Sequence, residues 1–565
     1  MDQVQNAMVE VLNLHSKTQI KENMKYINYI LGLCLSTLLV MTSCETAELD
    51  LTDNPNALSP SQADPTFFLN SIQIDFAFWV NNMGDRGGEL TRINYMSGRT
   101  YNNVYSPDSW NGTWSSAYRG MLEDIRLMNL LADESGLSYH RGMGKVFQAY
   151  IMLTLVDYFG DVPYSEALQG AEGILNPIAD GGQSVYNAAI GLIDSAVSDF
   201  NADGPVPSND FFYGGDSDKW VKAANSIKKK ALLNLGDYSG YNAISNYISS
   251  PADDFQFSWG TSPATPDTRH PLYRSNYTST GGGEYMSNWL MFNMINGHAG
   301  NTDPRINYYF YRQVSETPGF DGPANEEVLE CGLPGYYVPP QLRGDDTPFC
   351  APTNTASKPA GGYWGRDHGN DNGIPPDGFT RTLRGVYPAG GVYDDRSFTG
   401  QVDGAGEAGA GITPIMLSSW MHYMNAEVAV STGGDPTAET LTALEQALNK
   451  VDEIGGPEMS SDDVDAYVAA FTSDWNAASS VADKLDMWAT EYFIAMTGNG
   501  IDAYNSYRRN GYPRSLQPNV EPDPGQFPLS QYYPANYVNT NKNASQRSSK
   551  SERVFWNTNG PSNLK

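Results

Sequence analysis

The chain of 565 residues carries 65 acidic and 35 basic side chains, which gives a formal net charge of −30 at pH 7. So negative a surface repels the phosphates of DNA and RNA, and we expect no nucleic-acid partner. A disordered chain is also excluded, because hydrophobic residues make up 40% of the sequence and aromatic residues 12%.

Residues 1–43 are predicted to be an upstream extension followed by a secretion signal. Lys25 supplies the positive charge, the uncharged apolar stretch of residues 29–41 follows, and small residues lead into Cys44. Translation is expected to start at Met24. A transmembrane anchor is the alternative, but the apolar stretch is shorter than the roughly 20 residues that a spanning helix needs.

The position of Cys44, directly after small residues, resembles the bacterial lipobox, in which the mature chain begins at a lipidated cysteine. The acidic residues just behind it resemble the surface-export signal of Bacteroidetes lipoproteins. Residues 44–60 are polar and rich in Pro and Asn, which suits a tether between lipid and domain. A lipid with several acyl chains would hold the protein firmly, since a single chain binds a membrane only marginally.

Helices are predicted in the first half of the chain from apolar residues at three- and four-residue spacing. They cover residues 114–131, 146–159, 186–200 and 216–238. The second is apolar almost throughout, as in a helix buried in a core. Gly160 and Pro163 end it, and a further short helix is expected from Ser165. The lysines of residues 228–230 point in different directions around the last helix and are expected to be solvated.

Residues 250–412 form a long region rich in Gly, Pro, Tyr, Trp and Asn, with little periodicity. Loops of this length are usually functional, so the ligand region is expected here. Cys331 and Cys350 lie within it and are predicted to form a disulfide worth roughly 3 kcal/mol, because an exported protein favours oxidation. A metal pair is the alternative, but no third or fourth ligand stands nearby in the sequence.

Helical order is expected to return after residue 412. Helices are predicted for residues 415–430, 464–471 and 485–496, with one more that begins after Asp435. Helix pairs at irregular spacing indicate a tetratricopeptide-like superhelix, although no clean repeat of about 34 residues is present. Residues 61–565 are predicted to be one mainly α domain with minor β structure.

The sequence gives no strong sign of catalytic chemistry. Residues 404–409 match the glycine spacing of a nucleotide loop but lack the flanking strand and helix. The six histidines include no i, i+4 pair, and no Cys-x-x-Cys occurs, so no zinc site is expected. The Asp- and Asn-rich loop of residues 367–372 lacks EF-hand spacing, which favours a solvated turn over calcium. Asp394 and Asp395 could be the two acids of a glycosidase, but such a pair is defined by its positions in the folded protein and not by the sequence. No catalytic residue, metal or cofactor is assigned.

The stretches at residues 157–167, 215–226, 301–306 and 499–513 resemble, in that order, signatures of the SusD/RagB family of nutrient-binding lipoproteins of Bacteroidetes. The corner D-Y-F-G-D-V-P-Y-S-E-A at residues 157–167 resembles the family's D-x-(Y/F)-G-D-(V/I)-P-Y-(S/T)-E-A. The stretches at residues 215–226 and 301–306 resemble its G-D-x-x-K-W-x-K-x-A-N-S helix and its D-P-R helix start. Residues 499–513 resemble the N-G-x-E-A-W-x-E-W-R-R-T-G-x-P run of one branch of the family.

The resemblance implies a tetratricopeptide-like helical scaffold with a loop-rich region. It implies a nutrient-binding protein that is not an enzyme, anchored by lipid in the outer membrane and facing the exterior. Its partner would be a TonB-dependent transporter of the SusC type, and its ligand a glycan, an oligosaccharide above all, or a peptide. A secreted glycoside hydrolase and a purely structural helical scaffold are the alternatives.

Aromatic side chains in loops are the candidate ligand contacts, because flat rings stack on sugar faces and on peptide side chains. Asn102 is expected to add an orienting hydrogen bond. The rings are expected to lie off the apolar helix stripes and to face the ligand, with local packing as the alternative for each. The complete set is Tyr95, Tyr101, Asn102, Tyr105, Trp110, Tyr363 and Trp364.

Overall fold

The computed structural model describes residues 64–202, 204–316, 361–371, 377–400, 403–521, 523–562 and 564–565. The chain from Asp64 to Lys565 forms one compact unit. The predicted signal and tether, the lipid site at Cys44 and the predicted disulfide between Cys331 and Cys350 lie outside the described residues, so they stay predictions.

The first half of this unit is helical. Its helices are α1 (Pro65–Leu90), α2 (Tyr101–Val104), α3 (Asn111–Ser115), α4 (Glu123–Glu134), α5 (Ser138–Phe159), α6 (Gly182–Phe200), α7 (Ser217–Leu235) and α8 (Tyr238–Ala243). A π-helical turn, Ser116–Leu122, joins α3 to α4. The helix predicted for residues 114–131 is therefore one continuous helical run with a widened turn inside it.

The second half begins with short elements and returns to helices. The short helices are α9 (Pro271–Asn276), α10 (Asn288–Asn296) and α11 (Ile306–Tyr309). The later helices are α12 (Ser418–Ser431), α13 (Thr437–Asn449), α14 (Ser461–Ala477), α15 (Val481–Ala495), α16 (Ile501–Asn510) and α17 (Ala535–Thr540). Neighbouring helices pack in succession, α5 on α6, α6 on α7 and α12 on α13.

The strands of the described residues pair in three small antiparallel sheets. They are β1 (Phe255–Ser258) with β6 (Ile412–Met416), β2 (Tyr277–Thr278) with β3 (Gly281–Gly282), and β4 (Phe310–Tyr311) with β5 (Leu383–Arg384). In the first sheet Phe257 lies opposite Thr413 and Ser258 opposite Ile412. The prediction of a mainly α fold with minor β structure is confirmed.

The helix predicted for residues 415–430 begins later, because residues 412–416 pair as β6 and α12 starts only at Ser418. The short helix expected from Ser165 is also wrong. The Asp180 carboxylate accepts hydrogen bonds from the backbone N–H groups of Tyr164 at 2.9 Å and Ser165 at 2.8 Å, and from the Ser165 hydroxyl at 2.7 Å. These bonds hold the chain in a turn, which ends at Leu168 in the left-handed region, with φ 62°.

The expectation that residues 228–230 are solvated fails for two of the three lysines. Lys229 is buried and donates to the Tyr241 carbonyl at 3.0 Å, with its Nζ 3.7 Å from the Tyr241 ring centroid. Burial lowers the pKa of Lys229 to about 8. Lys230 is buried 3.0 Å from Asp502, so of these three lysines only Lys228 keeps exposed surface.

A buried polar cluster crosses the helical core at Asp157, near the end of α5. Its carboxylate accepts hydrogen bonds from the Asn505 amide at 2.8 Å and the Trp556 indole N–H at 3.0 Å, and also from the Tyr186 hydroxyl. The Asp157 backbone carbonyl accepts from the Arg508 guanidinium at 2.7 Å. This cluster connects α5, α6, α16 and the C-terminal segment.

We expect Asp157→Ala to lower the free energy of unfolding by about 3–5 kcal/mol, because several buried donors lose their shared acceptor. Urea unfolding followed by circular dichroism measures the change. Asp133→Ala is the matched control, since the Asp133 side chain is 67% exposed and pairs only with Arg141 at the surface. Equal unfolding midpoints for the two variants would contradict the role given to Asp157.

Candidate functional site

Five of the seven predicted ligand contacts are aromatic residues whose rings are buried. Trp110 and Tyr105 are 0% exposed, and Trp364 is 1% exposed. These rings are therefore not available to face a ligand as predicted, and local packing, the alternative given for each ring, describes them. The complete buried set is Tyr101, Tyr105, Trp110, Tyr363 and Trp364.

The buried rings have partners of their own. Trp110 stacks with Tyr105 at 6.2 Å between ring centroids and meets Phe159 of α5 edge-on at 5.3 Å. Tyr363 lies under the Arg312 guanidinium at 4.7 Å, and the Trp364 indole N–H donates to the Asp377 carboxylate at 2.7 Å. The rings that precede α3 therefore pack at the apolar end of α5, although they belong to no regular apolar helix stripe.

Tyr95 and Asn102 keep exposed surface. Asn102 lies beside Gly525 and is not part of the pocket that Tyr95 lines. That pocket encloses about 330 Å³ between the end of α1, the segment after β3 and the chain around β5. Its lining comprises the carboxyl groups of Asp85, Glu89, Glu284 and Asp371, the guanidinium groups of Arg366, Arg381 and Arg384, the rings of Tyr95 and Tyr285, and Ser97 and Gly283.

Tyr285 is the centre of the aromatic part of the pocket. The guanidinium carbons of Arg366 and Arg381 lie 4.1 and 3.8 Å from its ring centroid, within cation–π distance. Its hydroxyl donates to Asp377 at 2.8 Å. Tyr95 meets it edge-on at 5.8 Å and donates its own hydroxyl to the Asn370 carbonyl at 2.6 Å. Both rings are therefore held in place by hydrogen bonds at their far ends.

The acidic part of the pocket comes from α1. Asp85 and Glu89 stand one helical turn apart, where side chains share a face. Glu89 accepts from the Tyr105 hydroxyl at 3.0 Å and from Arg86 at 3.3 Å, and Asp85 accepts from the Asn94 amide at 2.8 Å. Burial, with the nearby Asp85 carboxyl adding to it, raises the pKa of Glu89 to about 8. Burial therefore favours the protonated form of the Glu89 carboxyl.

Most of the cations of the site have a carboxylate partner. Arg384 lies 3.1 Å from Glu284, and Arg381 pairs with Asp377. The pocket therefore offers many hydrogen-bond donors and acceptors with little net charge. Groups of this kind hold a ligand rich in hydroxyl or amide groups.

The sequence did not reveal the polar lining of this pocket. Asp85 and Glu89 have the i, i+4 spacing of a shared helix face, but residues 65–90 were not predicted as a helix, because three glycines interrupt the end of the pattern. Tyr285 belongs to the predicted loop-rich region, and only its aromatic type could have marked it. The arginines come together through β5 and the β-bridge at Arg366, which sequence alone does not show.

The loop of residues 367–372 is not the solvated turn that was expected, so far as it is described. Asp367 is buried and accepts from the Asn288 amide at 2.9 Å, and burial raises the pKa of Asp367 to about 7. Only Asp371 is exposed.

Across the described part of the chain, no group of three or more His, Cys, Asp or Glu side chains is placed to hold a metal ion. Among the same residues, no helix is both long and apolar enough to cross a membrane.

Two family models match the chain. One is described as "Starch-binding associating with outer membrane" and matches residues 55–326. The other is described as "Susd and RagB outer membrane lipoprotein" and matches residues 423–552. No curated protein sequence matches the chain.

Solved structures share the fold. A SusD/RagB family protein from Bacteroides thetaiotaomicron VPI-5482 is 18% identical, with a TM-score of 0.60 over 88% of this chain and 100% of that one. A SusD homologue from Bacteroides fragilis NCTC 9343 is 17% identical, with a TM-score of 0.60 over 88% and 99%. A chitin-binding SusD homologue from Flavobacterium johnsoniae is 17% identical, with a TM-score of 0.55 over 88% and 98%.

The proton on Glu89 predicts a pH dependence of stability. The folded state raises the pKa of Glu89 from 4.5 to about 8, so it is stabilised when this carboxyl is protonated. This stabilisation is lost as the pH rises from 4.5 to about 8. We expect Glu89→Gln, which keeps the size and stays neutral, to gain stability over the wild type as the pH increases.

Urea unfolding of both proteins at about pH 5 and about pH 9 measures this difference. Glu134→Gln, at an exposed position on α4, is the control and should follow the wild type at both values. Parallel pH curves for the wild type and Glu89→Gln would show that Glu89 is ionised throughout.

Proposed function

The chain belongs to the SusD/RagB family of outer-membrane lipoproteins, and we propose that it captures a glycan at the cell surface and delivers it to a TonB-dependent transporter of the SusC type. The observation that carries the proposal is the pocket beside Tyr95, where two fixed tyrosine rings meet carboxyl and guanidinium groups. The transporter is the partner that membership of this family implies.

A glycan suits this pocket because sugar hydroxyl groups donate and accept hydrogen bonds equally well. The protonated Glu89 can donate, Glu284 and Asp371 can accept, and Arg384 can donate from a distant part of the chain. A strongly charged ligand would instead need an excess of one sign, and the pairing of Arg384 with Glu284 removes it. The structural neighbour from Flavobacterium johnsoniae is a chitin-binding protein, which also favours a glycan. A peptide is the alternative ligand.

Binding without hydrolysis is proposed although carboxyl groups line the pocket. A glycosidase needs two carboxyl groups that flank the scissile bond, one acting from each side. Asp85 and Glu89 instead lie one turn apart on α1 and enter the pocket from the same side. Glu284, from another segment of the lining, is paired with Arg384 at 3.1 Å. Glu89 is also engaged by Arg86 and Tyr105. This arrangement favours a binding surface over the secreted hydrolase.

The proposed location of the protein rests on its N-terminal sequence. A lipid on Cys44 would anchor it in the outer membrane, and the polar residues 44–60 would let the domain face the exterior. From that position the pocket meets extracellular glycans before they reach a transporter.

We expect calorimetric titration to show binding of maltooligosaccharides or N-acetylchitooligosaccharides, with no shorter products in the same solutions by chromatography. Tyr95→Ala should weaken binding about tenfold, by analogy with other stacking contacts, because it removes a ring that is fixed before the ligand arrives. Phe211→Ala, at an exposed ring outside the pocket lining, is the matched control and should bind normally.

The alternatives predict other results in the same experiment. Binding of peptides but of neither sugar series would favour a peptide carrier. Release of shorter sugars by the wild type would favour the hydrolase, and equal binding by wild type and Tyr95→Ala would move the site elsewhere.

The lipid anchor has its own test. We expect Cys44→Ala to release the protein from the membrane fraction into the soluble fraction, because the thiol that would carry the lipid is lost. Fractionation and immunoblotting of cells that express either protein measure the distribution. A substitution in the tether, Ser59→Ala, is the control, and unchanged membrane retention of Cys44→Ala would contradict the anchor.

A further inference from the structure

Phe379 is an aromatic residue in the loop-rich region whose side chain is 58% exposed. Exposed apolar residues that stand singly are normal at protein surfaces and need no function. Phe379 differs because its turn is firmly held and lies two residues from Arg381, which lines the Tyr95 pocket.

The turn that carries Phe379 is fixed at both ends. The backbone N–H groups of Thr380 and Arg381 both donate to the Asp377 carbonyl at 2.8 Å. The buried Asp377 carboxylate accepts from the Trp364 indole N–H at 2.7 Å and from the Tyr285 hydroxyl at 2.8 Å. The ring is thus mounted on a rigid base, and little backbone freedom would be lost on binding.

The same turn adjoins the pocket. The Gly378 carbonyl accepts from the backbone N–H of Gly282 at 2.6 Å, next to the pocket residue Gly283. Arg381 lines the pocket and lies over the Tyr285 ring. Phe379 stands two residues from Arg381, so their Cα atoms are at most about 7 Å apart.

We propose that Phe379 forms an outer stacking subsite for a second sugar unit of an oligosaccharide whose first unit lies in the Tyr95 pocket. This inference rests on the proposed glycan function. The pocket volume of about 330 Å³ is at the low end of the range for ligand pockets, about 300–1,000 Å³, so a longer ligand must extend past the rim.

The chemistry of the subsite defines the class of ligand. Phenylalanine has no hydroxyl, so it offers only an apolar face, which matches the C–H face of an uncharged sugar ring. The outer subsite therefore selects chain length: an oligosaccharide contacts both sites, and a single sugar contacts only the pocket.

The test is a titration series in which chain length is the variable. The probes are N-acetylchitooligosaccharides and maltooligosaccharides of increasing length, from the single sugar upward, measured by calorimetry against wild type, Phe379→Ala and Phe379→Trp. We expect Phe379→Ala to bind the single sugar like the wild type and to bind the longer oligosaccharides about tenfold more weakly. Phe379→Trp should keep or exceed wild-type affinity for the longer ligands.

Phe67→Ala is the matched control, because Phe67 is also an exposed ring, 63% exposed, at the start of α1. At 1.5 Å per residue, Phe67 lies about 27 Å along α1 from Asp85. Phe379→Ala that binds every length like the wild type, or that loses affinity for all lengths equally, would overturn the subsite while the glycan function stands. A wild type that binds neither series would reject the glycan function and the subsite with it.

Discussion

The buried carboxylate of Asp157 is the contact on which the helical scaffold depends. Burying a carboxylate is costly unless several donors compensate it. Here the donors come from far apart in the chain: Tyr186 from α6, Asn505 from α16, and Trp556, which follows Asp157 by 399 positions. Two sequence signatures, at residues 157–167 and 499–513, are therefore the two sides of one interaction.

The same interaction fixes the pocket at a distance. With α16 held against α5, Gly500 at its start comes into contact with α1. A Cβ added to Gly87 would clash with the Gly500 carbonyl oxygen, so only glycine allows the two backbones this close. The end of α1 is thereby set, and with it the positions of Asp85 and Glu89 in the pocket. The glycines that hide α1 from a sequence-based prediction are thus required for its packing.

Regular helices are largely visible in the sequence, whereas boundaries set by distant contacts are not. The stripe of residues 186–200 predicts α6, which runs from Gly182 to Phe200, because its apolar spacing alone decides which face is buried. The turn at Ser165 depends on Asp180, a carboxylate 15 residues away. The burial of Lys230 depends on Asp502. Neither Asp180 nor Asp502 belongs to the local sequence pattern from which the turn or the lysine was predicted.

The aromatic residues of the loops show the same limit of sequence-based prediction for the candidate site. Ring type makes Trp364 a reasonable ligand contact, but its indole N–H donates to Asp377, and Asp377 in turn accepts from Tyr285 in the pocket. A buried ring thus supports an accessible one. Sequence composition marks a region rich in aromatic residues, because such residues are needed for both tasks. Which task a ring performs depends on its packing, and in particular on the distant residue with which it forms a hydrogen bond.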